Sequence, residues 1–171
     1  MDKLKHYEID FGGKAFGKHR FTYELNEEFF AIFEGSIVQN ASFTAQVEMN
    51  KQKHMIQFDI SLSGSTQVIC DRCNDPFEMD LNSEHLLLLK MGDHVEEEDV
   101  DVYVIPQTQT TWNIAQQLYE YVCTAMPMRI VHPEGKCNPE FMKTLEHIND
   151  HDETEQQEDP RWKKLKNINL N

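Results

Sequence analysis

The sequence predicts an α+β protein in which a curved antiparallel sheet, or partial barrel, of about six or seven strands precedes two C-terminal helices. Two patterns in the 171-residue chain predict this class. Apolar and polar residues alternate with a period of two through much of the chain before Thr110, which is typical of half-buried strands. Helical spacing of apolar residues begins only after that point, so we expect the helices to pack on a sheet formed by the preceding strands.

A hairpin is the clearest element of the predicted sheet. Alternate residues of 41–49 are apolar, and the alternation starts again at 56–62 after the polar run 50–53. Because the polar run is typical of a turn, the two segments are predicted to pair as antiparallel strands. Gly64 and Ser65 offer the next turn.

The remaining strands are predicted from shorter alternating segments. Residues 66–70 and 77–81 are expected to form a second hairpin, joined by the loop 70–76. The other predicted strands are 7–11, 21–25, 86–89 and 100–104, of which the first two are expected to pair with each other.

Two helices are predicted after the strands. Thr110 or Thr111 can cap the first helix, and Pro127 ends it. Asn138 is suited to the N-cap of the second helix, with Pro139 at its first position.

The composition changes toward the C-terminus. Residues 146–159 contain seven acidic side chains in fourteen positions and show no apolar period, which is typical of a disordered linker. The charge then reverses in the basic stretch 161–166. We therefore predict a single α+β domain at 1–148, followed at 149–171 by an acidic linker and a basic tail.

Four side chains of this tail are candidates for contact with RNA or with a protein partner. Arg161, Lys163 and Lys164 can bind phosphates, while Trp162 can stack on an exposed base. The alternative is a C-terminal helix that docks Trp162 and neighbouring apolar residues on the core.

The predicted loop of the second hairpin carries the first half of a candidate metal site. Cys70 and Cys73, together with the later His132 and Cys137, supply the thiolate and imidazole ligands that tetrahedral zinc prefers. Glu134 or a water molecule could take the place of the histidine. Because the second predicted helix begins just after Cys137, its N-terminus is expected to stabilise that thiolate. We predict a structural zinc ion.

Two other uses of the cysteines compete with this site. A redox Cys-x-x-Cys pair usually opens a helix in a βαβ unit, whereas the flanks of Cys70 and Cys73 are predicted strands. Cys123 lies inside the first predicted helix, where a cysteine is usually a small buried hydrophobe. It is therefore left out of the metal site.

Charge and composition exclude several classes of function. The chain carries 30 acidic and 16 basic residues, a net charge of −14, which argues against nonspecific DNA or membrane binding. We expect a cytoplasmic protein, since no stretch approaches the roughly 20 apolar residues of a membrane span and no secretory segment opens the chain. The sequence groups no catalytic triad or carboxylate pair, so no enzymatic activity is expected.

Several motifs resemble those of a known family. The stretch 70–77 resembles the Cys-x-Arg-Cys-x-x-Pro-Phe signature of the bacterial YceD-like proteins, also called large ribosomal RNA subunit accumulation proteins. Three further segments agree in order, namely 125–127, 131–137 and 159–162 followed by Leu165. Many family members carry a longer cysteine-rich segment after the first helix, so the metal site of this chain is a minimal one.

The resemblance implies a cytosolic, non-enzymatic factor that supports synthesis, processing or accumulation of 23S ribosomal RNA and thereby large-subunit assembly. It implies as partners this RNA or its precursor, or early large-subunit ribosomal proteins. It also implies that Cys70, Cys73 and Cys137 correspond to family cysteines, with His132 at a position that holds Cys or His. The alternative function is a zinc-binding interaction module that binds a basic protein outside the ribosome pathway.

Overall fold

The computed structural model describes residues 3–92 and 101–154 of the chain. Within these ranges it contains α-helices and two β-sheets, which confirms the predicted α+β class. In chain order the elements are a 3-10 helix Lys3–Tyr7, β1 Glu8–Asp10, β2 Gly17–Leu25, α1 Glu27–Phe30, β3 Ala41–Lys51, β4 Met55–Ile69, β5 Pro76–Met91, β6 Val102–Ile105, β7 Thr111–Asn113, α2 Ala115–Ala125 and α3 Pro139–Thr154. None of the described helices has the length and apolar character that a membrane crossing requires.

The described chain divides into two compact units. The first contains residues 3–69, 76–92 and 101–130, and it holds both sheets with α1 and α2. The second contains the loop 70–75 and residues 131–154, including α3.

The main sheet of the first unit has five strands in the order β2-β3-β4-β5-β6. It is curved and open, as the sequence predicts, and β2 and β6 lie at its edges. The seven described strands are divided between this sheet and a second, two-stranded one. Strands β2, β3, β4 and β5 pair with one another in antiparallel fashion, whereas β6 pairs with β5 in parallel. The parallel strand differs from the expected antiparallel arrangement, because alternation of apolar residues indicates which face a strand buries and not the direction of its partner.

The predicted hairpin between β3 and β4 is confirmed. Val47 lies opposite Ile60 and Met49 lies opposite Phe58, so the alternate apolar residues of both strands share one face. All four side chains are at most 1% exposed. Burial of a side chain of this size stabilises the fold by roughly 2 kcal/mol.

The turn expected at Gly64 and Ser65 is wrong, because β4 runs through both residues to Ile69. A Cβ at Gly64 would lie 2.1 Å from the carbonyl oxygen of Ser42 and 2.6 Å from the Cα of Phe43. The glycine therefore allows close approach of β3 within a continuous strand, and it does not end that strand.

The expected pairing of 7–11 with 21–25 is also wrong. Residues 8–10 form β1, which pairs with β7 in a small second sheet where Ile9 lies opposite Trp112. Residues 21–25 belong to β2, which pairs with β3. The burial pattern of each strand was readable from the sequence, but the partner of β1 lies far away in the chain and that of β2 is the next strand, β3.

Helix α2 packs on β5 and completes the core of the first unit. Leu118 and Val122 on its inner side are at most 1% exposed. The caps expected at Thr110 or Thr111 are wrong, because Thr111 already belongs to β7. The helix begins after Ile114, and the side chain of Asn113 accepts a hydrogen bond from the first helical N–H at 3.0 Å.

Helix α3 begins at Pro139, as the sequence predicts. It continues to Thr154, through the first residues of the segment that was expected to be a linker. The rest of that segment and the tail side chains Arg161, Trp162, Lys163 and Lys164 lie outside the described residues. The division of the chain after residue 148 stays a prediction.

Candidate metal centre

The loop between β4 and β5 holds Cys70 and Cys73 in a tight turn. The backbone N–H of Cys70 donates to the carbonyl oxygen of Asp75 at 3.0 Å, and that of Asn74 donates back to the carbonyl oxygen of Cys70 at 2.9 Å. Asn74 has a φ of 59°, in the left-handed region that asparagine adopts more easily than most residues. Both cysteines are buried. The thiols are thus positioned by the backbone of a closed loop.

A second turn, just before α3, carries the other two donors. Gly135 has a φ of 77°, and beside it the N–H of Lys136 donates to the carbonyl oxygen of Pro133 at 3.0 Å. The N–H of His132 donates to the sulfur of Cys70 at 3.5 Å. A backbone hydrogen bond therefore joins the two halves of the site.

Asn138 connects the same two halves with its side chain. Its Nδ2 donates to a carboxylate oxygen of Asp75 at 3.1 Å, and its Oδ1 accepts from the N–H of Glu140 at 3.0 Å. The residue therefore caps the start of α3, as expected, and also holds the cysteine loop beside that helix.

The four predicted donor side chains come together in the second unit. Their ligand atoms all lie within 4.8 Å of one another. Cys70 Sγ lies 4.0 Å from Cys137 Sγ, and Cys73 Sγ lies 3.3 Å from Nδ1 of His132. Donors bound to zinc at about 2.3 Å in a tetrahedron are about 3.8 Å apart. The group could therefore hold a metal ion with little movement.

The thiols of this group differ in their affinity for protons. Burial raises the pKa of the Cys70 thiol, whereas N–H groups directed at its sulfur lower that pKa, and the result falls from 9.0 to about 5. The N–H groups belong to His132, Cys73 and Arg72. This lowered pKa favours the thiolate form of Cys70, which is the form that binds metals.

Cys137 behaves in the opposite way. Its pKa is raised by burial and by the nearby thiols of Cys70 and Cys73. The stabilisation expected from the N-terminus of α3 is therefore outweighed. A cation among the donors would reverse this effect, since it favours the thiolate form of every cysteine in contact with it.

The sequence did not single out Arg72 as a member of the site. Its guanidinium donates from Nη1 to the sulfur of Cys137 at 3.8 Å, and its backbone N–H donates to the sulfur of Cys70 at 3.4 Å. The sequence signal that could have identified Arg72 is its position as a basic residue between the two cysteines of the Cys-x-x-Cys motif. Two residues that were considered as members, Cys123 and Glu134, do not belong to the group of four.

The fold and this Cys3His group together define the class of the protein, an α+β protein with a candidate structural metal centre. The family model for the large ribosomal RNA subunit accumulation protein YceD matches residues 58–169, and the chain belongs to that family. No curated protein sequence and no solved structure matches the chain significantly. The matched region includes all four donor residues, so the candidate centre lies within the part of the chain that the family shares.

Proposed function

We propose that the protein is a non-enzymatic factor that supports synthesis, processing or accumulation of 23S ribosomal RNA, and thereby assembly of the large ribosomal subunit in the cytoplasm. The observation that carries this proposal is the family match over 58–169. The family description names accumulation of the large-subunit RNA, while the step at which this chain acts is part of the proposal.

The metal centre has a structural role in this proposal. Cys70, Cys73, His132 and Cys137 would hold Zn²⁺, because a set of three sulfurs and one imidazole suits this ion. Four protein donors leave no open coordination position, as is usual in structural sites. The ion would hold the loop 70–75 against the segment before α3, which are separated by more than fifty residues of chain.

The C-terminal tail would supply the contact with the partner. Arg161, Lys163 and Lys164 are basic side chains in an otherwise acidic chain, and Trp162 offers a ring for stacking. In this proposal they contact 23S RNA, its precursor or an early large-subunit protein.

Depletion of the protein from its host cell tests the function. Ribosomal RNAs are quantified after sucrose-gradient sedimentation, and the tagged protein is crosslinked to bound RNA. A selective loss of 23S RNA and large subunits is expected, with 16S RNA as the internal control. Crosslinks to 23S RNA would identify direct RNA contact, and their absence with the same RNA loss would identify a protein partner.

An alternative function is favoured by the net charge of −14. A strongly acidic protein attracts basic proteins over long distances and repels nucleic acid. The chain would then be a zinc-binding interaction module for a basic protein outside the ribosome pathway. Normal amounts of 23S RNA and normal subunits in depleted cells would favour this alternative and contradict the leading proposal.

A further inference from the structure

The five-stranded sheet has one face in the core and one face exposed. The exposed face, called here the outer face, is formed by the even-numbered residues of β2, β3 and β5 and the odd-numbered residues of β4. Its middle is lined largely by Ser, Thr, Asn and Gln side chains. Most of these side chains are exposed, so no described residue covers the outer face.

The outer face has an excess of negative charge. Lys18, Arg20 and Lys90 are its cations. Its carboxylates come from all four strands, and they are Glu24, Glu48, Asp59, Glu78, Asp80 and Glu84. The ion pairs found in the described part of the chain join Lys18 and Arg20 to Glu48, at 2.5 and 2.9 Å. The other five carboxylates therefore have no ion-pair partner within residues 3–92 and 101–154.

The outer face also has a concavity and one exposed leucine. A concavity of about 460 Å³ lies on it, with Arg20, Glu48 and Asp59 among its lining residues. Asp59 of β4 lies opposite Leu86 of β5, a residue that is 45% exposed. An extended segment crossing these strands would therefore meet carboxylates and then an exposed leucine, which suits the aliphatic stems of lysine and arginine.

We propose that the outer face binds a lysine- and arginine-rich segment of a protein. The inference deepens the proposed function, because such a segment would there belong to an early protein of the large subunit. Nucleic acid does not fit this face, since its phosphates would lie against carboxylates that no cation neutralises, although Glu24, Asp59 and Glu78 accept hydrogen bonds from neighbouring Thr44, Gln57 and Ser65. The protein would act on ribosomal RNA through a basic protein that it carries or screens.

Charge removal on the outer face tests the inference. The face variant carries Asp59→Asn, Asp80→Asn and Glu84→Gln. A matched control carries Glu8→Gln, Glu34→Gln and Glu120→Gln. The three control residues are also exposed but do not belong to the outer face. The probe is a fluorescent lysine- and arginine-rich peptide, and the full chain is titrated by anisotropy. We expect about tenfold weaker binding for the face variant and less than about twofold change for the control. Equal weakening of both, or no binding by the unmodified chain, would overturn the inference.

Zero-length carboxyl-to-amine crosslinking of the unmodified chain gives a second measurement that does not depend on how a variant folds. Crosslinks from the peptide to Asp59, Asp80 or Glu84 are expected, and crosslinks confined to other carboxylates would overturn the inference. A 23S RNA fragment that binds the face and is released by the peptide would also overturn it. Failure of the proposed function is seen separately, as normal 23S RNA in depleted cells.

Discussion

At the scale of single residues, the candidate metal centre depends on small backbone features around the thiols. Three N–H groups directed at Cys70 lower its pKa, while Cys137 is surrounded by other thiols that raise its own. The four candidate ligands could be nominated from the sequence, because residue type and approximate spacing are enough to suggest a zinc site. The proton affinities could not be predicted, since they depend on contacts between segments far apart in the chain.

Replacement of one donor should release the metal. Cys70→Ser is expected to reduce bound zinc from about one ion per chain to near zero, because the remaining donors leave the coordination shell incomplete. The melting temperature should fall by about 5 °C or more. Metal analysis and thermal unfolding measure both effects. Cys123→Ser is the matched control and should keep its zinc, and retention of zinc by Cys70→Ser would remove this residue from the site.

Stability of the metal-free protein should depend on the protonation of Cys70. Between about pH 5 and pH 9 the unfolded thiol holds a proton that the folded thiol has lost, so folding becomes more favourable as the pH rises. The raised pKa of Cys137 acts in the opposite sense only above its ordinary value of 9.0. The melting temperature of the metal-free chain should therefore exceed that of Cys70→Ser by a margin that widens from pH 5 to pH 9. Two parallel curves would contradict the assignment.

Arg72 is expected to increase metal affinity without being a ligand. Three thiolates outweigh the charge of Zn²⁺ by one unit, and the guanidinium beside Cys137 offsets that unit. Arg72→Gln should weaken zinc binding by roughly tenfold, as measured by competition with a chromophoric chelator. Arg129→Gln removes an exposed cation elsewhere and should have no effect. Equal affinity in the two variants would show that the contact with Cys137 does not support the metal.

At the scale of helices and strands, the main sheet shows which features the alternation of apolar and polar residues can predict and which it cannot. The period of two correctly predicted which faces of β3 and β4 are buried, because each side chain's face follows from its own strand. It did not predict that β4 continues through Gly64, since the reason for that glycine is the neighbouring strand.

Gly64 should therefore be intolerant of any side chain. A Cβ there meets backbone atoms of Ser42 and Phe43, which cannot move aside without disrupting the β3–β4 pairing. Gly64→Ala is expected to lower the free energy of unfolding by about 2 kcal/mol or more, measured by chemical denaturation. Gly92→Ala is the control, because its nearest neighbour would be a side-chain carbon of Val104 at 3.8 Å. Similar stability of the two variants would refute the close-approach argument.

At the scale of the whole molecule, charge is unevenly arranged along the chain. The net charge is −14, yet 161–166 is a basic stretch at the C-terminal end. If the tail contacts RNA or a partner, a change of its charge should weaken that contact and should leave the stability of the fold unchanged.

Reversal of the tail charge tests that contact. Arg161→Glu, Lys163→Glu and Lys164→Glu together should abolish co-sedimentation with large-subunit precursors, because three phosphate or carboxylate contacts become repulsive. The melting temperature should not change. Lys53→Glu with Lys143→Glu is a control that reverses exposed cations elsewhere. Undiminished co-sedimentation of the tail variant would instead favour a tail that docks on the core.

The amino-acid sequence was enough to predict the α+β class, the buried faces of the central strands and the proline at the start of α3, and it nominated the four candidate ligands that the structure brings together. These features follow from periodicity and residue chemistry within short segments. Three features became known from the folded structure alone: β1 pairs with β7, β6 runs parallel to β5, and Arg72 contacts Cys137. The first and third contacts join residues distant in the chain, and the second depends on the direction of a strand. The free energy that selects among such arrangements comes from packing and backbone hydrogen bonds, which no local pattern contains.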